Sequence, residues 1–205
     1  KDDVVERINY FRRLAGVPPT NRSADLDTKA QAAALIQSFL KTPTHEPTAG
    51  SVCHTAEGAA ASNASNLSLT SGIQTIGNQF IRDHGKPGVG IASDVNRGVG
   101  HRAFLLSPDL RTVGIGDVPG LPGDRGAMAI HVTANTFNVT APQFQAWPPA
   151  GLVPDDLIYQ RWSVQRRSTD FTRATVTVTT NGTNVPLMVV YPILPKDTED
   201  FGTST

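Results

Sequence analysis

A histidine at a glycine–helix junction, a short apolar turn, a proline stop and a glycine-opened strand follow one another between Gly100 and Gly116 (GHRAFLLSPDLRTVGIG). No other stretch constrains the fold as much. Ala103 to Leu106 supply one apolar helical turn, Pro108 prevents its continuation, and Gly114 and Gly116 open a strand. A histidine placed like His101 can point into a cleft. It can equally cap or pack inside a plain helix–turn–strand unit, and the segment alone leaves both readings open.

The N-terminal third is helical in pattern. Val4, Val5, Ile8, Phe11 and Leu14 recur at helical spacing, with Asp2 and Asp3 suited to the positive helix end. Gly16 is a stop signal and Pro18-Pro19 forbid continuation. A second helix is expected to start near Asp25 or Asp27 and to end by Pro43, with Leu26, Ala30, Ala33, Ala34 and Leu35 as a small-residue packing face. His45 comes directly after it. Three motifs, in this order, carry a resemblance. They are Asn9-x-x-Arg12 with the Gly16-Val17-Pro18-Pro19 exit, a histidine after the second helix, and the Gly100-His101-Arg102 run with its Leu-Leu-x-Pro stop and Gly-Ile-Gly strand. Together they resemble the CAP superfamily (cysteine-rich secretory proteins, antigen 5, pathogenesis-related 1) over roughly residues 4 to 135.

The resemblance implies an α+β fold, an α-β-α sandwich around an antiparallel central sheet, filling residues 1–140. Ile73, Ile76, Phe80 and Ile81 suggest a helix ending near His84, residues 86–98 read as a glycine-rich loop, and Ala127 to Thr133 alternates as a strand. Beyond Pro142 the composition changes. Trp147-Pro148-Pro149-Ala150-Gly151 is a turn-rich bridge, Arg161 to Val164 reads as a strand, and Ala174 to Thr179 alternates with period two. Asn181-Gly182 is a hairpin signal. Residues 141–195 are therefore expected as a β-rich extension docked on the sandwich, similar to that of some bacterial CAP proteins, with 196–205 as a tail. So small a unit is a poor independent core.

Composition excludes several function classes. With 18 basic and 18 acidic residues the formal net charge is zero, which gives no electrostatic reason to expect nucleic acid or an anionic membrane as partner. No apolar run approaches the ~20 residues of a membrane span. Arg12-Arg13 and Arg166-Arg167 read as solvated pairs. Cys53 is the only cysteine, so no internal disulfide forms, unlike the disulfide-stapled animal and plant proteins. The Asn-x-Ser/Thr sequons at Asn21, Asn63, Asn66, Asn138 and Asn181 read as chance in a protein of bacterial type. By the resemblance the chain is secreted or displayed at the cell surface, with a leader removed before Lys1.

The family's cleft carries two histidines and two acidic residues, and in some members a divalent metal. Carried over residue by residue, the histidines are His45 and His101. The first acid belongs to a Glu-Asn-Leu motif, and here Ser65-Asn66-Leu67 stands in its place, so Ser65 replaces the glutamate. The second acid is matched by Asp83, after Phe80-Ile81-Arg82. The implied cleft is His45, Ser65, Asp83 and His101, with His45 and His101 as ligands for a divalent metal such as zinc and Asp83 as a weaker third. His54 is placed at the cleft rim, His84 at a helix end and His131 on the outward face of a strand. No metalloprotease His-Glu-x-x-His, Cys-x-x-Cys pair, phosphate-binding glycine loop or Gly-x-Ser-x-Gly elbow occurs. Ser65 or Ser68 with a histidine base is a remote nucleophile option. With the cleft glutamate gone, no catalytic residue is assigned. The expected role is a binding or interaction module for an extracellular lipid, glycan or protein, needing no cofactor. The alternative is a metal-dependent or histidine-based hydrolase.

Overall fold

Helix α1, Asp2–Leu14, forms where the apolar periodicity predicts it and buries Val4, Val5, Ile8 and Phe11. Gly16 ends it with φ +69°. A computed structural model describes residues 1–84, 98–120, 125–132, 144–166, 169, 171 and 173–189. After a two-residue strand β1, Asn21–Arg22, helix α2 covers Ala24–Ser38, its N-cap Ser23 accepting from the Leu26 N–H. Helix α3, Ala56–Asn63, is capped by Thr55 in the same manner and runs into strand β2, Ser65–Ser68. A π-helical turn, Ile76–Ile81, stands where an ordinary helix was expected. The six-residue helix α4, Gly100–Leu105, leads to β3, Thr112–Val118, and β4, Ala127–His131.

The central sheet has the order β1-β3-β4-β2. β2, β4 and β3 are antiparallel, but β1 joins β3 in parallel, so the sheet is mixed where an antiparallel one was expected. The pairing of Asn21 with Thr112 is short, and α2 completes the β3 edge beyond it. The Asp27 carboxylate accepts the Ile115 N–H at 2.6 Å, and the Gln31 amide bonds both the Asp117 carbonyl (3.1 Å) and its N–H (3.2 Å). Side chains thus satisfy backbone groups that would otherwise be an open edge.

Alternation along β3 and β4 divides the core. Val113, Ile115, Met128, Ile130 and Val132 join α1, the π-turn and α4 in the larger cluster, while Ala129 joins Ala30, Ala33 and Ala34 of α2, Ala61 and Leu67. A Cβ at Gly114 would overlap the Leu26 backbone, and one at Gly116 the Ala30 carbonyl. Glycine there and alanine opposite let helix and strand approach closely. Leu35 falls outside the small-residue face assigned to it and is 40% exposed.

Two further expectations are corrected. His131 does not face outward. It is 7% exposed, on the face of β4 that also carries Ala129, because β4 is covered on both sides. Nor is Arg12 a solvated cation. It is buried, donating from Nε to the Pro18 carbonyl (2.8 Å), from Nη1 to those of Leu105 (2.5 Å) and Ser107 (2.9 Å), and from Nη2 to that of Leu110 (3.0 Å). Burial pushes its pKa down to about 10, still far above neutrality.

The C-terminal part begins with an antiparallel ribbon of β5, Gln145–Trp147, and β6, Ser163–Gln165. Trp147 and Leu157 are buried in the larger core cluster, and Trp147 meets Phe11 edge-to-face at 5.7 Å. The short hairpin of β7, Thr179–Thr180, and β8, Thr183–Asn184, turns through Asn181 and Gly182, both at positive φ. The longer strand expected from Ala174 contracts to these two residues, and Val176, Val185 and Leu187 beside them are exposed. Most of the expected 86–98 loop and the 196–205 tail lie outside the described residues.

Candidate functional site

The π-turn and α4 place Asp83 against His101. Asp83 sits just past the turn with φ +49°, a left-handed conformation that aspartate tolerates better than most residues. Its side chain is fully buried. Oδ1 accepts from His101 Nδ1 at 2.9 Å, and Oδ2 accepts the Arg102 backbone N–H at 3.1 Å. The ring packs against Phe80, with centroids 5.3 Å apart, and the His101 side chain stays 27% exposed. Val99, also left-handed at φ +49°, precedes the helix and sets the entry of the histidine.

The other predicted residues gather where α3 passes into β2. His45 Nδ1 donates to the Ser62 carbonyl at 2.9 Å. Ser65 Oγ donates to the neighbouring Ala61 carbonyl at 2.6 Å, and Ser65 is 3% exposed. Asn66 Nδ2 donates to the His101 carbonyl at 2.9 Å. Residues 61–66 therefore connect the two halves: consecutive carbonyls hold Ser65 and His45, and Asn66 reaches α4. Asp83 and His101 meet directly. This stretch links His45 to His101. Among the described residues, no three His, Cys, Asp or Glu side chains converge into a metal-ligand group.

Both imidazoles show the same electronic arrangement. A carbonyl or a carboxylate can only accept, so each Nδ1 carries the hydrogen, and in the neutral ring Nε2 keeps the lone pair. That is the tautomer required of a metal ligand or a proton acceptor. Asp83 has committed one oxygen to each of two donors, and so acts as the group that orients His101.

The model of the cysteine-rich secretory protein family, CAP, matches residues 5–135. The chain belongs to the CAP family. No curated protein matches it. Within this CAP domain, the familiar Asn of the Glu-Asn-Leu motif survives as Asn66, and its task is visible as the bond to the His101 carbonyl. The sequence motif marks Asn66 but carries no signal for this bond, which depends on the packing of β2 against α4. Arg102, in the Gly-His-Arg run, likewise shows its role only in the fold. His54 is partly exposed. His84 has its Nδ1 buried with no partner among the described residues. No helix among the described residues is long and apolar enough to cross a membrane.

Proposed function

We propose that this CAP domain is an extracytoplasmic binding or interaction module, with the surface around His45 and His101 as its ligand-facing part. The observation that carries the proposal is the full engagement of Asp83 between the His101 ring and the Arg102 N–H. With residue 65 a buried serine, neither family acid position offers a carboxylate for general-base work. The ligand classes that suit such a module are an extracellular lipid, glycan or protein.

The proposal includes a weakly held divalent metal, supported by the two imidazoles whose Nδ1 atoms are both engaged as donors. Nε2 of His45 and Nε2 of His101 would be its protein ligands, with Asp83 orienting one of them. Such a metal would supply a Lewis acid for gripping an anionic or carbonyl group. A histidine-based hydrolase has one observation in its favour, a buried carboxylate on Nδ1 of a part-exposed histidine, the arrangement of a general base. The candidate serines do not serve it: the Ser65 hydroxyl is bound to the Ala61 carbonyl and that of Ser68 to Thr70.

Calorimetric titration with zinc, on the native protein and on the His45→Ala/His101→Ala double variant, tests the proposal, with peptide and ester turnover followed in parallel. The expected result is weak uptake that disappears in the double variant, with turnover at background. Tight stoichiometric uptake with metal-dependent hydrolysis lost in the double variant would replace the module with an enzyme.

A further inference from the structure

Arg102 follows His101 in sequence and is 1% exposed. Its guanidinium is not paired in the manner of a surface cation. Nε donates to the Ile81 carbonyl at 2.6 Å and Nη2 to the Arg82 carbonyl at 2.8 Å, the two residues leading into Asp83. Nη1 donates in the opposite direction, to the Arg161 carbonyl at 2.9 Å and the Ser163 hydroxyl at 3.0 Å. The backbone N–H of the same residue holds Asp83 Oδ2. One residue therefore fixes the chain on both sides of the His101–Asp83 pair and is anchored at its far end in the C-terminal ribbon.

The ribbon is built for this contact. Register places Gln145, Trp147, Gln165 and Ser163 on its inner face. Besides Ser163 on Arg102, Gln145 donates to the Leu106 carbonyl and Gln165 reaches the Ala103 carbonyl at 3.5 Å. Two polar side chains thus meet α4, the helix that carries the histidine, and a third meets its C-cap, while Val164 on the same strand faces solvent. A planar fork of five N–H donors can span acceptors on two separate segments, whereas a single ammonium cannot.

We propose that Arg102 is a positioning residue through which the β5–β6 ribbon sets the orientation and tautomer of the His101 imidazole. The C-terminal segment is then a working part of the histidine site. The functional weight of this coupling rests on the proposed ligand-facing role of His101, but the coupling itself is read without any ligand.

The test uses the full chain labelled with 15N-histidine, comparing Arg102→Lys, Ser163→Ala and, as the outward-facing control on β6, Val164→Thr. His45 and His131 report on the rest of the fold. In the native protein His101 should give the shift pattern of a single Nδ1–H tautomer. Arg102→Lys should shrink the difference between its two ring 15N shifts. Ser163→Ala should move it in the same direction by less, and Val164→Thr should leave it in place. His45 and His131 should not follow. With zinc as probe, Arg102→Lys should weaken uptake about 10–100-fold, the range for loss of an orienting partner. An unmoved His101 in a folded Arg102→Lys protein overturns the proposal. So does an unmoved His101 in Ser163→Ala, which also decides the matter if Arg102→Lys does not fold. The expected imidazole response in a protein that takes up no zinc supports the coupling and removes the metal-assisted role alone.

Discussion

Asp83→Asn should destabilise the protein far more than the exchange of one atom suggests. The carboxylate accepts two donors, the His101 ring N–H at 2.9 Å and the Arg102 backbone N–H at 3.1 Å, one on each oxygen. Asparagine has one carbonyl oxygen and one NH2 group. With its oxygen on the Arg102 N–H the amide turns its NH2 group toward Nδ1 of His101, so the ring must either keep an unsatisfied N–H there or move its hydrogen to Nε2 and give up the free lone pair. The loss of a charge-assisted bond is worth about 1.5–3 kcal/mol, and a buried donor left unsatisfied costs about 1–3 kcal/mol more. The buried Arg102 guanidinium also loses a nearby counter-charge. Against this, removal of a buried anion lowers the desolvation cost, and asparagine accepts the left-handed backbone at least as well as aspartate. A net loss of about 3 kcal/mol follows, which for a chain of this size lowers Tm by about 6–12 °C. Urea denaturation and calorimetry on the native and Asp83→Asn proteins measure it at neutral pH. A loss below about 1 kcal/mol with His101 still in its Nδ1–H tautomer, read by ring 15N shifts, would mean that Asp83 does not hold both donors, and the account of how His101 is oriented would fall with it.

Gly116→Ala forces a methyl into the Ala30 carbonyl of α2, and the strain should cost about 2–3 kcal/mol, seen as a lower midpoint in urea. Trp147→Ala opens the larger core where it meets Phe11 and should cost about 3–5 kcal/mol, lowering the transition of the α1 amides in hydrogen exchange together with that of the ribbon. An unchanged α1 would show that the ribbon folds apart from the sandwich. Burial, helped by the charge of Lys29, holds the His131 pKa below its ordinary ~6.5. The unfolded chain therefore takes up this proton first as pH falls. The stabilising contribution is complete above ~6.5 and is lost as pH drops through that value to the lowered folded one. His131→Gln should flatten the slope of stability against pH in this window, by urea midpoints at successive pH values.

Apolar spacing made α1 legible, since Val4, Val5, Ile8 and Phe11 are all on the buried side. The ordered motifs place Asp83 and His101 in one cleft, and the two side chains meet at 2.9 Å. What the sequence hid is mostly non-local. Alternation marks Met128, Ile130 and Val132 as one face of β4, but cannot tell that the other face, which carries the buried His131, is covered too. The Arg12-Arg13 pair looks solvated until the fold supplies carbonyls for Arg12, and nothing in the sequence marks the carbonyls that bury Arg102. β1 is two residues long and parallel to β3, too short to leave a period-two signal. The π-turn carries apolar residues that fit an ordinary helix equally well. Ser65 could be recognised as a lost glutamate, but its bond to the Ala61 carbonyl is a property of the packed α3–β2 corner.

The four carbonyls around Arg12 also bear on the order in which the molecule is made. Three of them lie 93, 95 and 98 residues further along the chain, and the indole packed on the adjacent Phe11 belongs to residue 147. During synthesis α1 emerges well before these partners, with only near ones such as the Pro18 carbonyl and the Thr20 backbone, bonded to Asn9, made soon after it. Loops of this length are closed at an entropic cost before any contact compensates it. Helix α1 is therefore fixed in its final place only after α4, the turn that follows it and β5 have been made.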